Sequence, residues 1–257
     1  FIEVPEGIAH YLEHKLFESE EQDAFERFAK TGASANAFTS FDRTCYLFSC
    51  SSNFEKNFEI LLDFVQHPYF TEETVRKEQG IIGQEINMYD DNAGWRVLFN
   101  LLGAIYENHP VKIDIAGTVE SIAKINADLL YDCYNTFYNL NNMFICVAGN
   151  VSADKIFEMC DKLLLNKEKV EIERFMPVES EKVVKDKVEI ALPVSMPMFA
   201  IGYKEVCKVP QKTIKEKILT EVILKSIFGA DGNLYKELFD NGLINDNFGT
   251  EYFTGYG

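Results

Sequence analysis

Two histidines and a glutamate stand close together near the start of the chain, in the order His10, Glu13, His14. On a helix, residues three and four positions apart share one face, so these side chains would converge while Tyr11 and Leu12 turn away. A hydrolytic zinc site usually has three protein ligands and one position open to water. A nearby carboxylate can take a proton from that water and pass it to a leaving amine. The spacing therefore predicts a catalytic zinc site and a metallopeptidase.

The order of these residues is the inverse of a more common zinc-peptidase motif. Many zinc peptidases have H-E-x-x-H, whereas this chain has H-x-x-E-H. The chain contains 4 histidines in 257 residues, and two of them stand in this motif. The alternative is a surface helix whose polar side chains face solvent, because short motifs also occur without function. A third metal ligand would decide between the two interpretations.

The predicted third ligand lies on a second helix over residues 71–91. Thr71 can act as its N-cap, and acidic residues crowd the first turn, as helix starts prefer. Glu78 and Glu85 are two helical turns apart, so they project from the same side. One of them could bind metal while the other supports it, although either one alone would fit an exposed helix face. The same helix would carry an apolar stripe formed by Val75, Ile82 and Ile86.

The segments GIAHYLEHKLF and GASANAFTS, with the two later glutamates, resemble the pitrilysin or insulin-degrading enzyme family, which includes mitochondrial processing peptidase. The sequences of these motifs are most similar to those of bacterial members of the processing-peptidase type. The resemblance implies that His10, His14 and Glu85 bind one zinc ion and that Glu13 is the catalytic base. It also implies that Glu78 supports the site by orienting a ligand histidine.

A hairpin is predicted between the two zinc elements. Residues 33–38 and 44–51 are small, β-branched or aromatic, and a turn separates them. In the family that the chain resembles, the first of these strands is an exposed edge on which an extended peptide substrate pairs through its main chain. Asn36, Ala37 and Phe38 are therefore candidates for substrate contacts. Alternatively, Phe38 belongs to the core and Asn36 is a polar edge residue.

The resemblance implies an α+β fold of repeated domains, each an antiparallel sheet flanked by helices. We predict a zinc-bearing catalytic domain over residues 1–167, a charged linker over 168–187 and part of a second domain over 188–257. The chain begins almost at the zinc helix, without the strands that precede it in the family, and stops partway through the second domain. We therefore expect this sequence to be a fragment, shorter than the usual members of the family.

Further elements are expected along the chain. The patterns predict helices over 152–165, 213–228 and 233–241, and strand material over 143–149 and 188–203. An internal similarity supports duplication, because FERFAKTGASANAFT and YKELFDNGLINDNFG both have the order helix, glycine, strand. In this comparison Gly32 matches Gly242 and Phe38 matches Phe248.

The second domain departs from the family pattern. Family members that contact substrate from this domain carry an arginine and a tyrosine, whereas the corresponding positions here are Phe239 and Asn245. In two-subunit relatives these residues belong to a partner without zinc, so we expect this chain to be the zinc subunit of a hetero- or homodimer. The alternative function is a non-catalytic subunit that uses the zinc helix structurally. Glu13 argues against that alternative, because a structural zinc usually fills all four positions with protein ligands.

The composition limits the possible partners. The net charge of −16 argues against nucleic acid, whose phosphates need a basic face. With 47% hydrophobic residues a sizeable core is possible, and no apolar run approaches the roughly 20 residues needed to cross a bilayer. The acidic charge mildly favours basic peptides as substrates, unless the acids are solvated surface that maintains solubility.

The remaining histidines and the cysteines are not expected to be ligands. His67 and His109 each precede a proline, which predicts a turn or loop. The six cysteines form no C-x-x-C pair and sit mostly among apolar neighbours, which is typical of buried free thiols in a reducing compartment and favours the cytoplasm. They are Cys45, Cys50, Cys133, Cys146, Cys160 and Cys207.

Overall fold

Ten α-helices and one two-stranded sheet form most of the regular structure in the computed structural model, which describes residues 3–165, 168–205 and 214–254. The helices are α1 (Ile8–Leu16), α2 (Ala24–Thr31), α3 (Phe54–Gln66), α4 (Glu72–Asp90), α5 (Ala93–Ile105), α6 (Val119–Ile122), α7 (Ala127–Phe137), α8 (Ala153–Leu163), α9 (Ile214–Phe228) and α10 (Asn233–Asp240). The strands are β1 (Ser34–Thr39) and β2 (Thr44–Ser49), and two short 3-10 helices span Pro110–Lys112 and Leu140–Asn142.

The chain divides into two units, Phe1–Gly202 and Tyr203–Gly257. The first unit contains the hairpin and helices α1 to α8, and the second contains α9 and α10. The predicted boundaries of the catalytic domain, linker and second domain stay a prediction. In the described part of the chain, no helix combines the length and apolar character that a membrane span requires.

The predicted hairpin is confirmed. Strands β1 and β2 pair in antiparallel fashion, with Ser34 opposite Ser49 and Thr39 opposite Thr44. The turn is closed by a hydrogen bond from the Ser40 N–H to the Arg43 carbonyl, at 2.8 Å. Among the residues described, the other edge of β1 pairs with no strand. This edge is therefore available to an extended chain.

Helix α1 runs through the core of the first unit. Its side chains Tyr11, Leu12 and Leu16 are almost fully buried. They belong to one apolar cluster with residues from α2, α3, α4 and α7, including Phe28, Phe64, Ile82 and Leu130. The Tyr11 hydroxyl also donates to the Val75 carbonyl of α4. The packing thus holds the histidine helix directly against the helix that carries Glu78 and Glu85.

The start of α1 depends on a close approach of two loops. Gly7, which precedes the helix, has φ of 85°, a conformation that favours glycine. A Cβ atom on Gly7 would collide with the Ala116 carbonyl, and one on Gly117 would meet the Glu6 carbonyl. The Ser121 hydroxyl donates to the same Glu6 carbonyl at 2.8 Å. Two glycines therefore allow the contact that places the first turn of α1.

Helix α4 confirms the helix predicted over residues 71–91. Thr71 is its N-cap, and the Thr71 and Thr74 side chains form a reciprocal capping box. Glu72 and Glu73 lie in the first turn, where the helix dipole favours negative charge. The predicted apolar stripe is buried and consists of Val75, Ile82 and Ile86. Its burial against the core fixes which face of α4 carries the glutamates.

The later helices also agree with the sequence patterns. Helix α8 starts after Ser152 as expected. Helices α9 and α10 match the segments 213–228 and 233–241, although position 213 lies outside the described residues. The internal similarity is confirmed only in its helix and glycine parts, because the residues after Gly242 form no strand in the described structure.

Two strand predictions are wrong. The segment 143–149 was expected to be a buried strand, but it has no regular structure and Phe144 is 88% exposed. The described residues of 188–203 also form no strand. A strand exists only through hydrogen bonds to a neighbour, and the sheet in the described residues contains β1 and β2 alone. Apolar residues in these segments therefore stay exposed despite a pattern that favours strands.

Candidate metal centre

Helices α1 and α4 bring three possible metal ligands together. The Nε2 atom of His10 lies 3.8 Å from Glu85 Oε2, and the Nε2 atom of His14 lies 3.5 Å from that same oxygen. One ligand atom from each residue can be chosen so that all three lie within 4.8 Å of one another. Tetrahedral zinc with bonds of about 2.0–2.1 Å needs ligand atoms about 3.4 Å apart. The arrangement is therefore close to the size of a zinc site.

The chemistry of the donors also fits zinc. Two imidazoles and one carboxylate form a donor set found in catalytic zinc sites. The ring centroids of His10 and His14 are 4.6 Å apart, as the spacing of four residues on α1 dictates. Three carboxylates, from Glu13, Glu78 and Glu85, line the cleft with this pair, and a divalent cation would offset most of their negative charge. The residues present thus match the metal that the motif predicts.

Glu78 contacts His14 from the side away from Glu85. Its Oε1 atom lies 3.1 Å from His14 Nδ1, so an N–H at that nitrogen donates to the carboxylate. This contact orients the ring so that Nε2 of His14 lies towards Glu85, and Nε2 is the nitrogen that would bind a metal. The structure therefore separates the two glutamates of α4, with Glu85 beside both Nε2 atoms and Glu78 behind one ring.

Glu13 lies beside the three candidate metal ligands but is not one of them. It is 7% exposed, and its Oε2 atom accepts a hydrogen bond of 2.5 Å from the Thr39 hydroxyl. Thr39 is the last residue of β1, so the hairpin fixes the orientation of this carboxylate. The sequence analysis did not identify Thr39. The sequence did contain a signal for Thr39, because this residue ends the strand that was expected beside the zinc.

The ionisation of the site follows from burial and mutual charge. Burial, together with the charge of His14, lowers the pKa of His10 to about 4, so His10 is neutral at neutral pH. Burial also lowers the pKa of His14, but the hydrogen bond to Glu78 and the charge of Glu85 outweigh it and raise the pKa overall. Burial raises the pKa of Glu13 more than the Thr39 hydrogen bond lowers it. Glu13 is therefore a stronger base than an exposed glutamate.

An open cleft of about 510 Å³ lies over the site. The motif residues line it together with β1, including the predicted substrate residues Asn36, Ala37 and Phe38. Phe38 is 47% exposed, so it is not a core residue. The Asn36 side chain accepts a hydrogen bond from the Ala37 N–H at 2.9 Å. Their role in binding substrate stays a prediction.

Tyr89 and Trp95 form part of the cleft wall, and sequence reasoning missed both. The Tyr89 hydroxyl donates to Glu85 Oε1 at 2.6 Å. Burial, followed by the hydrogen bond to Glu85, raises the pKa of Tyr89 to about 12, so its hydroxyl stays protonated at neutral pH. The spacing of four residues between Glu85 and Tyr89 on a predicted helix was the signal that could have identified this contact.

The other two histidines, which were not expected to be ligands, lie outside regular helices and strands as predicted. His67 follows the last residue of α3, and His109 precedes the 3-10 helix Pro110–Lys112. The described cysteines are free, as expected, but of these Cys133 alone is buried and Cys146 is exposed. The expectation of buried thiols is therefore wrong for Cys146, because its segment is the unpaired stretch 143–149. Cys207 lies outside the described residues.

The inverted histidine motif on one helix, a glutamate from a second helix and an edge strand along the cleft define a metallopeptidase type of site. Residues 3–119 match the family model described as Insulinase (Peptidase family M16), and residues 124–256 match the one described as Peptidase M16 inactive domain. The chain belongs to peptidase family M16. The family predicted from the motifs is thereby confirmed.

Two similar proteins have names that describe them as a protease or as a subunit of a peptidase. The Bacillus subtilis protein named Uncharacterized zinc protease YmfH is 47% identical over 261 residues, covering 100% of this chain and 61% of that protein. Mitochondrial-processing peptidase subunit beta of Bos taurus is 30% identical over 158 residues, covering 60% of this chain and 32% of that protein.

A solved structure confirms the predicted α+β fold class. The crystal structure of an M16-like peptidase from Alicyclobacillus acidocaldarius has a TM-score of 0.86 and 38% identity, and the match covers 96% of this chain and 59% of that one. The chain therefore spans less than two thirds of the length of this protein and of the Bacillus relative.

Proposed function

We propose that this protein is a zinc-dependent endopeptidase in which His10, His14 and Glu85 bind the ion and Glu13 is the general base. The observation that carries the proposal is the convergence of three ligand atoms beside a fourth, buried carboxylate at the floor of an open cleft. Three ligands leave one position for water, as catalytic zinc sites require. The name of the Bacillus subtilis relative, a zinc protease, supports the choice of zinc.

The chain's own residues supply the proton transfers. A zinc ion held there would polarise the scissile carbonyl and lower the pKa of a water toward about 7. Glu13 accepts a proton from the attacking water and later delivers it to the nitrogen of the leaving amine. Thr39 holds one oxygen of Glu13, and the carboxylate lines the cleft, so the other oxygen would carry the transferred proton. Glu78 keeps the His14 ring in place throughout.

The substrate is a peptide in extended conformation that adds to the free edge of β1. Pairing through the main chain binds many sequences with similar strength, which suits a peptidase of broad range. The Ala37 N–H is bonded to the side chain of its own neighbour, Asn36, and a substrate carbonyl could take over this donor. Phe38 offers an exposed aromatic ring to a substrate side chain.

The partner of this chain is a related subunit without zinc. Phe239 and Asn245 stand where substrate-contacting members of the family carry an arginine and a tyrosine, so a second polypeptide would supply those groups. The likeness to a processing peptidase named as a subunit supports this arrangement. Cytoplasmic location stays a prediction.

The catalytic role of Glu13 is tested by Glu13→Gln, which keeps the size of the side chain and removes its basicity. We expect zinc content equal to that of the unaltered protein and a loss of peptide cleavage of about 10²-fold or more. Metal analysis and a quenched peptide measure the two quantities. Glu20→Gln, at an exposed position, is the matched control and should change neither.

Two results would contradict the proposal. Equal turnover by Glu13→Gln and the unaltered protein would remove Glu13 from the mechanism. Zinc binding without cleavage of any peptide, alone or with a related subunit, would favour the non-catalytic alternative, in which the zinc helix serves structure or assembly.

A further inference from the structure

Tyr89 lies one helical turn beyond Glu85 on α4 and contacts the oxygen of Glu85 that faces away from the histidines. Its hydroxyl donates to Oε1 at 2.6 Å, whereas Oε2 lies 3.8 Å and 3.5 Å from the two Nε2 atoms. The two oxygens of one carboxylate thus have different partners. One faces the candidate ligands, and the other is held by a neutral donor.

The Tyr89 ring is itself held in place from outside α4. It stacks on Trp95 of α5, with the ring centroids 4.6 Å apart and the planes at 16°. The Trp95 indole N–H donates to Asp114 Oδ2 at 2.6 Å, and Asp114 Oδ1 accepts the Ala116 N–H at 3.0 Å. The hydroxyl of Tyr89 therefore has a fixed position relative to Glu85.

A carboxylate without such a partner can rotate and present one or both oxygens to a cation. A hydrogen bond to one oxygen removes that freedom and leaves the other as the single donor atom. A hydroxyl also leaves the negative charge of the carboxylate available, whereas a lysine at this position would neutralise part of it. The contact is thus suited to a ligand that binds through one oxygen.

We propose that Tyr89 is a positioning residue that holds Glu85 so that Oε2 alone binds the metal, with Trp95 and Asp114 as its support. This inference rests on the proposed zinc site. Tyr89 touches neither histidine ring in the contacts described, so its effect reaches the metal through Glu85.

The test is Tyr89→Phe, which keeps the ring for stacking on Trp95 and removes the hydroxyl. We expect the zinc dissociation constant, measured by competition with a chromophoric chelator, to rise about 10-fold or more, as is typical when a partner of a metal ligand is removed. We also expect the visible spectrum of the cobalt-substituted protein to change, because the carboxylate rearranges around the ion.

The matched control is Tyr131→Phe. Tyr131 is also partly buried, but its hydroxyl accepts the Phe70 N–H just before the opposite end of α4. Its loss should leave zinc affinity and the cobalt spectrum unchanged. The melting temperature of both variants without metal separates a loss of zinc affinity from a general loss of stability.

The outcomes distinguish this inference from the proposed function. Failure of the unaltered protein to bind zinc would overturn the zinc site itself. Zinc binding by the unaltered protein, with the same affinity and cobalt spectrum in Tyr89→Phe, would overturn the role of Tyr89 alone. If Tyr89→Phe does not fold, Trp95→Phe keeps the hydroxyl but loosens its support, and unchanged zinc affinity in that variant would overturn the inference.

Discussion

Glu13 and Glu85 are neighbours in one cleft, yet different hydrogen bonds suit them to the different tasks proposed for them. Glu85 presents one oxygen to the Nε2 atoms of His10 and His14, with Tyr89 on its other oxygen. Glu13 is nearly buried and bonded to the Thr39 hydroxyl. Burial raises the pKa of Glu13, which favours proton uptake. At the residue scale, the partners of each carboxylate are the reason we assign one as ligand and the other as base in the proposed mechanism.

Thr39→Val tests the support of the base. Valine has nearly the same shape as threonine but cannot donate to Glu13, so the carboxylate loses its fixed orientation. We expect turnover to fall by about tenfold or more, the equivalent of one hydrogen bond to a charged group, with zinc content unchanged. Quenched-peptide kinetics and metal analysis provide the measurements.

Thr31→Val is a suitable comparison for this substitution, because the Thr31 hydroxyl contacts the Phe28 carbonyl and Asn57, away from the cleft. Its turnover, measured on folded protein, should match that of the unaltered enzyme. A Thr39→Val enzyme with full turnover would show that Glu13 needs no help from β1.

At the scale of elements, helix ends and loop contacts place the site. Helix α4 is set by a threonine capping box and by its buried stripe, whereas α1 begins at a glycine with positive φ packed on a second loop. Helices α2 and α10 end alike, since the N–H groups of Gly32 and Gly242 each bond to the carbonyl three residues earlier. The next N–H in each case bonds five residues back.

The predicted linker lies within the first unit and contacts the residues that follow α5. The Glu179 carboxylate accepts hydrogen bonds of 2.8, 2.7 and 2.6 Å from the N–H groups of Glu107, Asn108 and His109. Three successive N–H groups form a concave donor site that suits a carboxylate. Residues 168–187 form no helix or strand. The hydrogen bonds of Glu179 nevertheless give this segment a fixed contact just after α5.

Gly7→Ala tests how the start of α1 positions the histidines. The positive φ costs alanine about 1–2 kcal/mol, and the added Cβ collides with the Ala116 carbonyl. We expect the melting temperature to fall by several degrees and zinc affinity to decrease, because the first turn of α1 is displaced relative to Glu85. Thermal unfolding and chelator competition measure both effects.

Gly103→Ala is the matched control, since Gly103 lies within α5, is exposed and has open space around its Cβ position. Alanine there should stabilise the helix by about 0.5–1 kcal/mol. Equal melting temperatures for the two variants would contradict the argument about Gly7.

At the scale of the whole molecule, the three candidate metal ligands lie in the first unit, whereas Phe239 and Asn245 lie in the second. The residues that match the zinc motif fall within 3–119, and the match to the inactive domain covers 124–256. Under the two-subunit proposal, another polypeptide supplies the arginine and the tyrosine that Phe239 and Asn245 do not provide. This reasoning underlies the proposed two-subunit enzyme.

The two-subunit proposal predicts that the purified protein alone cleaves peptides poorly. Addition of a related subunit that lacks the zinc motif should raise kcat/KM and form a larger species in solution. Peptide kinetics and light scattering measure the two effects, and the Glu13→Gln variant in the same mixture shows which subunit carries the activity. Full activity of the protein alone, without a partner, would contradict the proposal.

The sequence by itself determined the local features of this protein. Spacing of three and four residues put His10, Glu13 and His14 on one helix face, and capping residues and apolar stripes predicted α4 and the hairpin, because these depend on neighbours along the chain. The resemblance to a family assigned Glu85 as ligand and Glu78 as support.

Only the tertiary structure decided what depends on distant contacts. It placed Glu85 Oε2 near both rings and Glu78 behind one, and it brought Thr39 and Tyr89 to the carboxylates. It also left 143–149 exposed, where an apolar pattern had predicted a buried strand. Spacing along a chain specifies which side chains share a face, but the partner that this face meets is set by the packing of separate elements, which no local pattern contains.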